Sequence, residues 1–448
     1  MSKENIIEWI EQNKQIYTAM AQDIWDHPQT AYEEAYASEL QRNALREAGF
    51  SIKHQVDNID TAFVAEYGQG KPVIGILGEF DALPGLSQKR SPVKEEVVKN
   101  GPGHGCGHNL LGTAGVEAVI ALKEIMEKGK IQGTIRYYGC PAEEVLSGKT
   151  YMAKAGVFDD LDSAITWHPM TNNAVMYKSM QSMVSVKFHF KGKPAHAAAS
   201  PEAGRSALDS VELMNIGTNY LREHVPDGTR MHYTITNGGL APNIVPEAAT
   251  VWYFLRARSK EDVEEILRRV KNIAKGAALM NETEVDSEIL AFAYDTLPND
   301  PLNELMYENM QESNSLVYTE EEQKFAQSLA KTLPSTEKSI EELLPTSVSF
   351  EPYQAGSSMP GSTDVGDVSW IVPTGMVTTT CAPLGTALHS WQATASFGTQ
   401  IGYKGMHLAA STMALSAYDL LKNKDNILHR AKETFDKVRD GKVYEAGI

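Results

Sequence analysis

A chain of 448 residues with 42% apolar and 22% charged side chains has the composition of a globular protein and is too long for one ordinary core, so two domains are expected. Its 58 acidic against 41 basic residues leave a formal net charge of −17, which excludes a nucleic-acid partner held by phosphate contacts. Three cysteines, Cys106, Cys140 and Cys381, are too few and too scattered for a disulfide framework, and no signal-peptide core follows Ser2-Lys3-Glu4, so the cytoplasm is the expected location.

Along the chain, Ile6, Ile10, Tyr17, Met20 and Ile24 recur at helical spacing, and a second amphipathic helix is predicted over 32–45, ending at Gly49. Short apolar runs over 62–65 and 73–78, bounded by glycines, read as buried strands of a sheet covered on both faces. The longest apolar helix, over 112–128, is interrupted by Glu117 and Lys123, which excludes a membrane span. A strand over 133–139, a helix over 149–155 and a strand over 163–169 continue an alternation that predicts a doubly wound α/β layer. The texture changes after 182, where Val184, Val186, Phe188 and Phe190 alternate with polar residues as in a strand with one solvated face. Helix 205–224, strands 231–236 and 250–256, helix 262–275 and strand 282–290 then complete a βαββαβ unit. Beyond Pro298 come helices over 302–310 and 320–333, a Ser/Gly/Pro-rich stretch over 357–363, strand 377–380 and a closing helix over 404–421.

Ligand-type side chains recur at the ends of these strands. Cys106 and His108 lie two apart in the glycine-spaced loop Gly103-His104-Gly105-Cys106-Gly107-His108-Asn109, so both can face one ion from an extended backbone; a glycine turn with an incidental thiol is the plainer alternative. Glu143 and Glu144 follow one apolar run, His168 ends another, and His389 comes far later, which requires the first domain to resume after the βαββαβ unit. In an open α/β sheet, groups beyond the carboxyl ends of strands share one rim. Cys106, His108, Glu144, His168 and His389 are five candidate ligands, too many for one tetrahedral zinc with an open position and suited to two ions that share a bridge. The mixed donors favour Zn, Mn, Co or Ni over Mg or Ca. Two such cations lower the pKa of a shared water from about 15.7 to about 7. Adjacent carboxylates on an extended backbone point apart, so one of Glu143 and Glu144 can ligate while the other handles a proton. Asp81, after the 73–78 strand, either orients a ligand histidine or caps a turn.

With these residues in view, the chain resembles the di-metal amidohydrolases that include aminoacylases, carboxypeptidase G-type enzymes and indole-acetyl-amino-acid hydrolases. The shared motifs are Asp81-Ala82-Leu83-Pro84, Cys106-Gly107-His108, Pro141-Ala142-Glu143-Glu144, Trp167-His168-Pro169, Lys193-Pro194-Ala195-His196-Ala197, Gly238-Gly239 with Asn243, and His389. They run in family order over nearly the whole chain. Within the family the chain is most similar to the B-type chains of p-aminobenzoyl-glutamate hydrolases, through Gly105-Cys106-Gly107-His108-Asn109 and the stretch 361–370.

The resemblance implies a zinc-exopeptidase-like catalytic domain split between 1–181 and 296–448, with an inserted α+β lid or dimerisation domain over 182–295. It implies Cys106, His108, Glu144, His168 and His389 as ligands of two divalent metal ions, Mn or Zn, and Glu143 as general base. It implies that His196 reaches a neighbouring subunit's oxyanion, although the residue itself reads equally as a surface histidine, and that Asn243 and Arg256 hold the substrate carboxylate. A homodimer acting on a small N-acyl amino acid is expected, with a second paralogous chain as an alternative partner. Asn109 stands where related subfamilies carry aspartate. Two other classes are open to the same residues: a metal-silent binding protein, and a thiol hydrolase using Cys106 with His108 as base.

Overall fold

The computed structural model describes residues 2–129, 131–334, 338–354 and 356–448. Shorter elements aside, α1 (Lys3–Asp26) and α2 (Ala35–Glu47) lead into β1 (Ser51–Val56), β2 (Ile59–Gln69), β3 (Val73–Glu79), α3 (His108–Gly129), β4 (Gly133–Cys140), β5 (Ser163–Met170) and β6 (Asn173–Val175). Next come β7 (Ser182–Lys191), α4 (Ala207–Leu221), β8 (Arg230–Asn237), β9 (Ala248–Ala257), α5 (Lys260–Met280) and β10 (Glu284–Ala293). The run closes with α6 (Asp300–Ser313), β11 (Val348–Ser349), β12 (Thr374–Thr380), α7 (Gln400–Leu421) and α8 (Ile427–Arg439). They form two compact units, one of Met1–Lys178, Leu297–Ser357 and Val368–Tyr444, the other of Ser179–Thr296, Ser358–Asp367 and Glu445–Ile448.

The first unit is built on an eight-stranded sheet of order β1-β2-β4-β3-β5-β12-β6-β11. Its centre, β4-β3-β5-β12, is parallel, whereas β1-β2, β2-β4 and β12-β6 are antiparallel, so the doubly wound layer is mixed at its flanks. All seven residues of β3 are buried, as a strand covered on both faces demands. The parallel centre matters for function because it sends the carboxyl ends of β3, β4 and β5 to the same rim.

Helix α3 packs against α1 and α7 and is buried along most of its length. Glu117 is fully buried there, and its carboxylate accepts a hydrogen bond from His407 Nδ1 at 2.8 Å. His407 Nε2 in turn meets Thr18 Oγ1 at 2.9 Å, so the charge that interrupts the apolar run ties three helices together. Three features escape the hydrophobic pattern. Strand β1 is mostly exposed, α8 is a largely polar surface helix, and α3 begins at His108 rather than 112, which puts a candidate ligand in its first turn. Among the described residues no helix is long and apolar enough to cross a membrane.

The second unit carries the β7-α4-β8-β9-α5-β10 succession as a four-stranded antiparallel sheet of order β10-β7-β9-β8. Val184, Val186, Phe188 and Phe190 of β7 lie under α4 and α5 with Val251, Tyr253 and Leu255 of β9. Edge strand β8 leaves Tyr233 and Ile235 exposed. A short parallel pairing of Ser358–Met359 with Ser179–Met180 brings part of the 361–370 neighbourhood into this unit.

Candidate metal centre

The donors reach the rim from several separate elements of the first unit. The end of β3 supplies Glu79, and Asp81 follows it by two residues. The loop before α3 presents Cys106 and the first turn of α3 presents His108, on either side of Gly107, whose φ of +81° and close approach to Pro169 (a Cβ would lie 2.9 Å from Cγ) leave no room for a side chain. After β4 the chain passes through Ala142, at φ 56°, into a single 3-10 turn over Glu143–Val145. The two carboxylates therefore diverge from a tight turn, not from the extended backbone that their adjacency suggests. His168 belongs to β5 itself, and His389, at φ 60°, sits in a loop whose N–H donates to Gly105 O at 2.9 Å.

Among the described residues, donor atoms converge in three sets, each within 4.8 Å: Cys106, His108 and His168; Cys106, Glu144 and His389; Glu79, His108 and Glu143. Cys106 Sγ lies 3.4 Å from His168 Nε2, and His389 Nε2 lies 3.3 Å from Glu144 Oε2. His108 Nδ1 donates to Asp81 Oδ1 at 2.8 Å, while Asp81 Oδ2 accepts the Glu144 N–H at 2.8 Å. One buried carboxylate thus fixes both an imidazole and the turn bearing the paired glutamates. His168 Nδ1 donates to Pro169 O at 2.9 Å, which turns Nε2 toward the thiol.

The fit to cations rests on what is left unsatisfied. His108 Nε2, Glu144 Oε1 and Glu79 Oε2 are buried and make no hydrogen bond. Such groups cost free energy in a dry interior unless a positive centre engages them, and a thiol, imidazoles and carboxylates together suit a borderline divalent ion. Burial pushes the Glu144 carboxyl up to about 7, and burial followed by the Glu144 charge pushes the Cys106 thiol well up. Burial also lowers His168 to about 4, so its ring is neutral at physiological pH. Burial opposes charge on His108 as well, but the neighbouring Cys106 and Asp81 outweigh it and raise that ring's pKa.

The remaining candidates behave differently. Asn109 Nδ2 donates to Ala21 O and Phe397 O, both at 3.2 Å, so it clamps backbone on two elements instead of standing in for a carboxylate. In the second unit, His196 Nδ1 accepts the N–H groups of Ala198 and Ala199 at 3.2 and 3.1 Å, and Ala197 N donates to Asn243 O at 3.1 Å, which sets these two exposed residues side by side. Arg256 lies on β9 opposite Arg230, with its Nε buried and without a hydrogen-bond partner, and burial lowers its pKa. Two groups in the first unit carried no sequence signal strong enough to single them out. Glu79 lies two residues before Asp81, and Lys149, in a short helix, is fully buried against it.

Residues 179–281 match the profile of the peptidase dimerisation domain, and together with identity to a hydrolase over 98% of the chain they define a hydrolase of amide bonds: the chain belongs to the M20 peptidase family. It is 42% identical over 461 residues to the B-type chain of p-aminobenzoyl-glutamate hydrolase from Escherichia coli (strain K12), covering 98% of this chain and 96% of that one. It is 29% identical over 434 residues to the Xaa-Arg dipeptidase of Mus musculus, covering 94% of this chain and 89% of the relative. In fold it is similar to an aminobenzoyl-glutamate utilization protein from Klebsiella pneumoniae (TM-score 0.64, 17% identity, 92% and 97% covered). It is also similar to a dinuclear metal-binding M20 peptidase from Bacillus subtilis (TM-score 0.61, 16% identity, 92% and 99% covered).

Proposed function

We propose that the protein is a divalent-metal-dependent amidohydrolase that cleaves p-aminobenzoyl-glutamate to p-aminobenzoate and glutamate. The observation that carries the metal requirement is the convergence of Cys106, His108, Glu144, His168 and His389 around buried atoms that nothing else satisfies. Cys106, His108 and His168 would hold one ion and Cys106, Glu144 and His389 the other, Mn or Zn being best matched to the donors. When bound, the ions supply Lewis acidity that acidifies water and polarises a carbonyl.

Glu143 lies beside the set, with its carboxylate 3.8 Å from His108 Nε2. It takes the proton of the attacking water and returns it to the leaving aromatic amine. Asp81 keeps His108 oriented throughout. The half-buried Arg256, with Asn243, would grip a substrate carboxylate, and this favours a glutamate product over a cationic one. His196 of the partner subunit would hydrogen-bond the developing oxyanion. The match to a dimerisation domain and the exposed edge strand β8 support a homodimer, and the subunit wording in the Escherichia coli relative's name makes a second paralogous chain the alternative. None of the three cysteines is in a disulfide, which supports a reducing, cytoplasmic setting.

Release of p-aminobenzoate by metal-reconstituted protein, compared with hydrolysis of dipeptides ending in arginine, tests the substrate. Faster turnover of the dipeptides would transfer the reading to the dipeptidase branch. Subunit exchange tests the trans role. Inactive His196→Ala and Glu143→Ala chains should recover part of the wild-type activity on mixing, and no recovery would place His196 outside the partner's site.

A further inference from the structure

Beneath the centre lies a pair that the proposed reaction leaves unused: Lys149 Nζ, fully buried, donates to Glu79 Oε1 at 2.5 Å. Taking two charges out of water is costly unless the remaining lone pairs are also engaged. The other carboxylate oxygen, Glu79 Oε2, is buried, makes no hydrogen bond and lies 3.3 Å from His108 Nε2, which is equally buried and equally without one. The two atoms face each other at close range but not in the geometry of an N–H···O bond. A positive centre beside both satisfies them together. Glu143 contributes a third donor within 4.8 Å of the other two.

We propose that Glu79 is a further donor of the metal centre, its Oε2 sharing an ion with His108 Nε2, and that Lys149 is the positioning residue that fixes the carboxylate's direction. The inference rests on the metal-dependent reading above. Lys149 occupies one oxygen and leaves the other aimed into the site. Its ammonium also offsets one charge in a cluster that includes Glu79, Asp81, Glu143 and Glu144, so the pair is an element of the site's charge balance as well as of its shape.

Equilibrium titration of stripped protein with Zn(II), and the visible spectrum of the Co(II)-loaded form, test the assignment without recourse to turnover. Wild-type protein should bind two ions per chain. The double variant Glu79→Gln/Lys149→Met removes both charges together and so leaves no lone ion in the interior. It should keep its fold by circular dichroism, bind one of the two ions about 10–100-fold more weakly and shift the cobalt d–d absorption. Glu79→Asp keeps the charge but withdraws the oxygen by one methylene, and it should weaken the same ion. Wild-type affinities with an unchanged cobalt spectrum in both variants overturn the proposal and leave the pair a packing device. Wild-type protein that binds no ion would instead overturn the metal-dependent reading itself.

Discussion

Replacing Glu143 with alanine is expected to lower kcat by about 10²–10⁴-fold, the usual contribution of a positioned general acid–base group, while the divalent ions stay bound. The expectation follows from the division of labour between adjacent carboxylates. Glu144 is tied by its own N–H to Asp81, and its side chain meets His389. Glu143 belongs to neither of the two cysteine-containing sets, although it lies within reach of His108. On the proposed reading, its pairing with Glu144 on one 3-10 turn would place a base beside the attacking water without making it one of the five ligands. Metal content by elemental analysis, measured alongside kcat, separates this role from that of a ligand. Near-normal turnover would remove the base assignment, and loss of an ion together with activity would move Glu143 into the ligand set.

An effect at least as large is expected from exhaustive dialysis against a strong chelator: hydrolysis should fall to background and return when Mn(II) or Zn(II) is restored. The competing thiol mechanism predicts the reverse, since a Cys106 nucleophile needs no ion. Burial and the Glu144 charge already argue against it, because both oppose the thiolate that such a mechanism requires, whereas a bound cation stabilises that thiolate. Activity that survives removal of the metals and disappears on alkylation of Cys106 would favour the thiol route.

The convergence of candidate donors on one rim was legible because most of them stand beside a feature with its own signature, whereas His389 lies in a loop without one. Glycines flank Cys106 and His108, an apolar strand precedes Glu143 and Glu144, and another carries His168. The alternation of short buried strands with helices pointed to a shared rim, and the parallel pairing of β3 with β4 and β5 supplies it. The conformation at Glu143 was not legible, since the left-handed backbone at Ala142 has no glycine or asparagine to announce it. Nor was the Glu79–Lys149 pair, because Lys149 sits among the polar residues of a short helix and nothing local says that it turns inward to a partner 70 positions away. Exposed β1 and the surface helix α8 lack the deep apolar stripe on which such readings depend.

The backbone link between the His389 N–H and the Gly105 carbonyl bears on biosynthesis. On the proposed reading, donors spread from Cys106 to His389 would close around a cation only after most of the polypeptide has left the ribosome, because chains emerge from the amino end. If these residues hold the ions as proposed, a nascent or truncated chain is expected to be inactive until the last quarter folds back onto the first.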